Sequence, residues 1–390
     1  MTTAFTKQTI IPITELEQSA FCQTDGNLRT KTLEEEFSAG VRWQKVPTRY
    51  LKLTPEEISE GIAFARNEIG EKAVLLGHHY QRDDVIEYAD FTGDSYKLSK
   101  MAAAAKDAKW IIFCGVHFMA ETADILARDD QAVILPNLAA GCSMADMADE
   151  DSVEAAWEEL VSVYGTEPDE SGRVPVIPVT YMNSSAALKA FCGKHGGIVC
   201  TSSNAATVLE WAFERGQRVL FFPDQHLGRN TGVAMGYGLD EMVVWNPRRE
   251  RGGLDEAEVK EARFLLWRGH CSVHQRFGAS HIDAFRSEFP DGQVIVHPEC
   301  NHETVLLADQ VGSTDFIIRT VEAAAPGSAI GIGTEIHLVH RLAAGNPDKH
   351  VVSLDPMLCP CSTMFRIDAP HLAWVLEGLV EGEVRKSHHG

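Results

Sequence analysis

Long apolar runs are missing from this chain of 390 residues. The longest, Trp110 to Ala120, is broken by His117 and falls well short of the roughly 20 residues that cross a bilayer. Met1 to Glu15 has no apolar segment of the kind a secretory leader carries, so a cytoplasmic protein is expected. Positive charge is scarce too: 35 Lys and Arg stand against 56 Asp and Glu, a net charge of −21. So acidic a chain argues against broad contact with nucleic acid or an anionic membrane, and no helix-turn-helix pattern or basic patch offsets it. An anionic ligand must then be gripped by local groups. Close C-x-x-C pairs, a common mark of zinc sites, are also absent. The nine Cys are an odd number spread along a long chain, which argues against a disulfide framework and leaves them free, catalytic or metal-bound.

What is present is ordinary for a packed protein: 44% hydrophobic and 23% charged residues. The length allows two to four domains at roughly 100–200 residues each. Residues 1–50 show no clear period and are read as an extension. Thr54 as N-cap, Pro55 at the first helical position, and Glu56 and Glu57 near the positive end of the dipole then predict a helix start. Apolar runs ending in polar residues recur, at Ala73–Leu76, Val174–Val179 and Val294–Val296. Further short strands are expected at Trp110–Phe113, Val133–Leu135, Ile198–Cys200, Val219–Phe222, Phe316–Ile318, Ala329–Ile332 and His350–Leu354. Strands alternating with helical segments predict an α/β fold with parallel sheets.

The alternation reads as triplicated, each third closing on a Cys. His78 to Cys142 and His297 to Cys361 both span 64 residues, whereas Tyr181 to Cys271 spans 90. The middle third then carries an insertion, placed around residues 229–269. The expected domains are 51–165, 172–280 and 281–380, with a loop at Gly165–Arg173.

Cys142, Cys271 and Cys361 stand at loop-like positions, far enough apart to share a site only where three domains meet. Three thiolates permit iron–sulfur chemistry with one iron open to substrate; the competing reading is small buried hydrophobes. The second reading suits Cys22, Cys114, Cys192 and Cys200, and Cys300 fits either. Polar clusters follow the strand ends, where ligands bind in open α/β sheets. They are His78-His79-Tyr80, Tyr181 to Ser185, Thr201 to Asn204, His297-Pro298-Glu299 and Gly312-Ser313-Thr314. Each is either a helix cap or a ligand-binding group.

In order from about residue 70 to about 380, these motifs resemble the quinolinate synthase A family. The resemblance is carried by Gly77-His78-His79-Tyr80, Gly93-Asp94-Ser95, Cys114-Gly115-Val116-His117 and Ala140-Gly141-Cys142-Ser143. It continues through Tyr181-Met182-Asn183-Ser184-Ser185, Cys200-Thr201-Ser202-Ser203-Asn204 and Pro223-Asp224-Gln225-His226-Leu227-Gly228-Arg229. Cys271-Ser272-Val273-His274, His297-Pro298-Glu299-Cys300 and Val311-Gly312-Ser313-Thr314 complete it. The resemblance implies three similar three-layer αβα domains with short parallel sheets about a pseudo-threefold axis. It implies a transferase of NAD biosynthesis that condenses iminoaspartate with dihydroxyacetone phosphate to quinolinate, on a 4Fe-4S cluster. The implied ligands are Cys142, Cys271 and Cys361, with Cys359 as the alternative third. The implied substrate cavity holds His78, Ser95, Tyr181, Asn183, Ser202, His297, Glu299 and Thr314, with Tyr80 and His274 close by. Glu299 is the implied general acid or base, assisted by His297 and Tyr80, and Ser202, Ser313 and Thr314 would cradle phosphate. An L-aspartate oxidase is the implied source of iminoaspartate. A hydro-lyase with a three-Cys cluster, an iron–sulfur sensor and a metal-free binding protein remain the competing classes.

Overall fold

The computed structural model describes residues 46–357 and 360–385. Most of the expected extension, with Cys22, and the alternative ligand Cys359 lie outside the described residues.

Parallel strands form three sheets. The first holds β1 (Ala73–His78), β2 (Phe91–Gly93), β3 (Trp110–Cys114) and β4 (Ala132–Ile134), in the order β2-β1-β3-β4. The second holds β5 (Ile177–Tyr181), β6 (Ile198–Cys200), β7 (Val219–Phe222), β8 (Met242–Trp245) and β9 (Phe264–Trp267), in the order β6-β5-β7-β9-β8. The third holds β10 (Gln293–Val296), β11 (Gln310–Val311), β12 (Ala329–Gly333) and β13 (His350–Ser353), in the order β11-β10-β12-β13. One strand order occurs three times, and the middle sheet adds β8 at its edge. The chain is therefore α/β with three similar helix-flanked units, and part of the extra length in its middle third is sheet.

Covering both faces of a parallel sheet requires apolar residues on both sides of each strand. In β3, Ile111 and Phe113 enter one apolar layer while Ile112 and Cys114 enter another. The predicted helix start holds: Thr54 and Glu57 cap each other ahead of the helix Pro55–Ile69, with contacts of 3.2 and 2.8 Å.

Two strand expectations need correction. Phe316–Ile318 lies inside the helix Thr314–Ala323, where Ile317 and Val321 face the core one turn apart. A short apolar run does not distinguish strand from helix, and the strand of that region is the two-residue β11. The run Val174–Val179 is a strand only from Ile177, with Val174 making an isolated bridge to Gly216.

Each sheet hands the chain to the next through a cysteine loop. Helices begin at Glu150, Ala279 and Ala369, eight residues after Cys142, Cys271 and Cys361 in turn. The helix Glu150–Tyr164 packs through Val153, Ala156 and Leu160 against the second sheet. The helix Ala279–Glu288 packs through Ile282 and Phe285 against the third. The helix Ala369–Val380 returns to the first sheet, where Leu372, Leu376 and Leu379 share an apolar layer with Ile62, Ile69 and Leu75. Cutting the fully buried Leu376 back to Ala leaves a cavity in that layer, with an expected loss of about 2–5 kcal/mol. Urea denaturation with an unchanged m-value checks it.

Among the described residues, no helix is long and apolar enough to cross a membrane.

Candidate active site

Ends of strands from all three sheets open onto one cavity, as the strand-end rule requires. From the first sheet come His78 at the end of β1, Tyr80 just beyond it, Ser95 after β2 and Cys142 after β4. The second supplies Tyr181 and Asn183 at β5, Ser202 after β6, and Cys271 and His274 after β9. His297 and Glu299 follow β10, Thr314 follows β11 and Cys361 follows β13. Among the expected site residues, Ser313 alone is not on the wall; it is buried at the N-cap of the helix Thr314–Ala323.

Three thiols thus meet in one chamber. Among the described cysteines they are the partly exposed ones, whereas Cys114, Cys192, Cys200 and Cys300 are buried. The fully buried Cys300 thiol points to the Gly333 carbonyl at 3.6 Å. Ser143 and Ser272, each next to a site cysteine, bring their hydroxyls to 3.5 Å across the two loops. Glu335, fully buried, accepts from the Cys361 N–H at 3.3 Å while capping its own helix. Gly269 permits the Cys271 loop its path: a Cβ there would stand 1.9 Å from the Pro223 carbonyl oxygen.

Burial pushes the Cys142 thiol up to about 12, with the neighbouring Cys361 adding to the rise. Cys271 rises well above its ordinary value, again by burial first, with Glu299, Cys361 and Cys142 adding. Such thiols stay protonated until a cation takes them as thiolates. Three convergent thiols without a disulfide suit an iron–sulfur cluster.

Glu299 anchors the acid–base side. Burial alone would raise its carboxyl, but His297, His274 and hydrogen bonds from His274 and Tyr181 outweigh it and hold the group at about 2. Burial lowers His78 and His297 to about 3, so both imidazoles are neutral near pH 7. Burial first, then the Glu299 charge, holds the Tyr80 and Tyr181 hydroxyls protonated. His274 Nδ1 donates to Glu299 at 2.8 Å, and its ring stacks on His297 with centroids 4.5 Å apart.

Cys271, His274 and Glu299 also bring a sulfur, a nitrogen and an oxygen within 4.8 Å of one another, a possible single-metal set. Both ring nitrogens of His274 are already hydrogen-bonded, to Glu299 and to Thr334. A metal on that imidazole would have to break one of these contacts.

Several residues here were not among the expected ones. Asp94 and Thr363 line the cavity. Asn230 donates to the Pro298 and Cys300 carbonyls at 2.8 and 2.9 Å, bracketing Glu299. Asp94 and Thr334 follow strand ends, so position alone could have marked them, as it did Thr201.

Fold and cavity together define an α/β protein that gathers three thiols and a buried carboxylate around one small-molecule chamber. The chain belongs to the quinolinate synthetase A family: the model of that family, described as Quinolinate synthetase A protein, matches residues 60–388. It is 58% identical to the quinolinate synthase of Corynebacterium glutamicum over 343 residues, covering 88% of this chain and 85% of that protein. Identity to the quinolinate synthase of Halalkalibacterium halodurans is 51% over 339 residues, covering 87% and 90%. The quinolinate synthase of Streptomyces coelicolor is 56% identical over 321 residues, covering 82% and 80%.

Proposed function

We infer that this chain is a quinolinate synthase, a transferase that condenses iminoaspartate with dihydroxyacetone phosphate to quinolinate, releasing phosphate and two waters. The observation that carries the reading is the convergence of Cys142, Cys271 and Cys361 with Glu299 on one cavity, in a chain of this family.

Cys142, Cys271 and Cys361 would hold a 4Fe-4S cluster. When bound, it supplies an open iron that polarises a substrate oxygen and eases dehydration. The protein's own groups do the rest. The substrates are anionic, yet the described walls of the cavity carry no Lys or Arg. Anion binding then falls to hydroxyls and helix N-termini. No side chain caps the helices Ala205–Arg215 and Thr314–Ala323, which leaves N–H groups beside Ser202 and Thr314 free for the phosphate. Ser95, Asn183 and Tyr181 would orient the dicarboxylate by hydrogen bonds. Glu299, ionised at neutral pH, takes a proton from carbon during tautomerisation and returns one to the departing hydroxyl. Neutral His297 and His78 and protonated Tyr80 exchange protons beside it. In this reading the enzyme works in the cytoplasm, in NAD biosynthesis, with iminoaspartate supplied by an L-aspartate oxidase.

Protein purified without oxygen is expected to be brown, with about four irons and four sulfides per chain, and to form quinolinate from the two substrates. A folded, colourless protein that forms none would sink the reading. One metal per chain, lost on Cys271→Ala and on His274→Ala, would favour the single-metal set instead.

A further inference from the structure

Asn230 is buried on the helix Gln225–Ala234, which follows β7 of the second sheet, and it is not on the cavity wall. Its helix sits tight on that sheet: a Cβ at Gly228 would stand 2.7 Å from a Leu266 methyl and 2.8 Å from the Phe221 ring. From there the side chain reaches across to the third unit. Nδ2 donates to the Pro298 carbonyl at 2.8 Å and to the Cys300 carbonyl at 2.9 Å, so both amide hydrogens are used. Oδ1 accepts from His302 Nδ1 at 2.8 Å. Carbonyls only accept, so the amide has one orientation, its nitrogen toward the turn and its oxygen toward His302.

Glu299 lies between the two held carbonyls. Inside the turn its N–H meets His297 Nδ1 at 3.4 Å, and the Cys300 N–H donates to the His297 carbonyl at 3.0 Å. These bonds shape the turn from within the third unit. Asn230 fixes it against the second, the unit that also supplies His274 and Tyr181, the hydrogen-bond partners of the carboxylate. We propose that Asn230 is a positioning residue: its amide sets where the Glu299 carboxylate stands relative to His274, Tyr181 and the substrate. It acts through Glu299 and touches no substrate itself, and the inference rests on the quinolinate synthase reading above.

Asn230→Leu removes both donors at nearly the same size, and Asn230→Ala removes them and leaves space. Both are expected to lower kcat by about 10- to 100-fold, the scale set by misplacing a reacting group. KM for each substrate and iron content should stay near wild type, which separates lost positioning from lost binding. The decisive readout is the Glu299→Gln background. With the carboxylate gone, the same substitutions should change kcat by no more than about 2-fold, whereas a merely structural role would repeat the full loss. Wild-type kcat in both single variants, an undiminished loss in the Glu299→Gln background, lost iron, or a raised KM with kcat intact would each overturn the assignment. If both Asn230 variants fail to fold, His302→Ala decides, because it leaves the amide in place but frees it to turn; unchanged kcat there refutes the claim. If the wild-type enzyme makes no quinolinate, the functional reading fails separately. Crystal structures of wild type and Asn230→Leu then decide the positioning claim. A Glu299 carboxylate still 2.8 Å from His274 Nδ1 in the variant would refute it.

Discussion

Cys142→Ala, Cys271→Ala and Cys361→Ala are each expected to abolish the proposed cluster and, with it, detectable quinolinate formation. Each cysteine lines the shared cavity, on a loop leading out of a different sheet, and no other described cysteine lines it. The controls follow from the same geometry. Cys300→Ala keeps its iron, because that thiol faces the Gly333 carbonyl, and Cys114→Ala keeps it because that thiol lies in β3 within an apolar layer. Cys359→Ala also keeps its iron, since the equal run from cysteine to helix in all three thirds singles out Cys361. Iron and sulfide analysis of anaerobic protein, with circular dichroism for the fold, reads all six variants. Full iron in Cys361→Ala and none in Cys359→Ala would move the third ligand.

Glu299→Gln is expected to lower turnover by about 100- to 10,000-fold, the range that general acid–base groups contribute. Gln keeps the shape and can still accept from His274 Nδ1, 2.8 Å away in the parent. It cannot hold a proton taken from carbon. Folding should survive, since the substitution removes a charge whose burial is itself costly. Iron content should survive as well, because Glu299 is not among the three proposed ligands. Loss of iron in this variant would point to the set of Cys271, His274 and Glu299. Undiminished turnover with full iron would strip Glu299 of its role.

Much of this molecule was legible in its sequence, for identifiable reasons. Strands buried on both faces leave unbroken apolar runs, so β1, β3, β7 and β10 stand out, and the polar residues after β1, β5 and β10 mark the cavity. β2 and β11, at three and two residues, are too short to carry any periodicity. β8, inside the stretch read as an insertion, is a four-residue strand in charged surroundings. Thr334 carries no signature of its own; its partners lie 254 and 60 residues away. One regularity was open to reading in each third: Cys-Ser, then a helix beginning eight residues after the cysteine. It also marks where the chain passes from one sheet to the next.

The return of the helix Ala369–Val380 to the first sheet sets an order of assembly. The apolar side of Pro55–Ile69 waits for a partner made about three hundred residues later. At roughly 5–20 residues per second, that is a delay on the order of 15–60 s during synthesis. Until then Ile62 and Ile69 lack their final cover, and Cys361 has not met the other two thiols. A chain stalled before residue 369 therefore shows chaperones and proteases a raw apolar patch, and the cavity of three thiols closes only in the finished polypeptide.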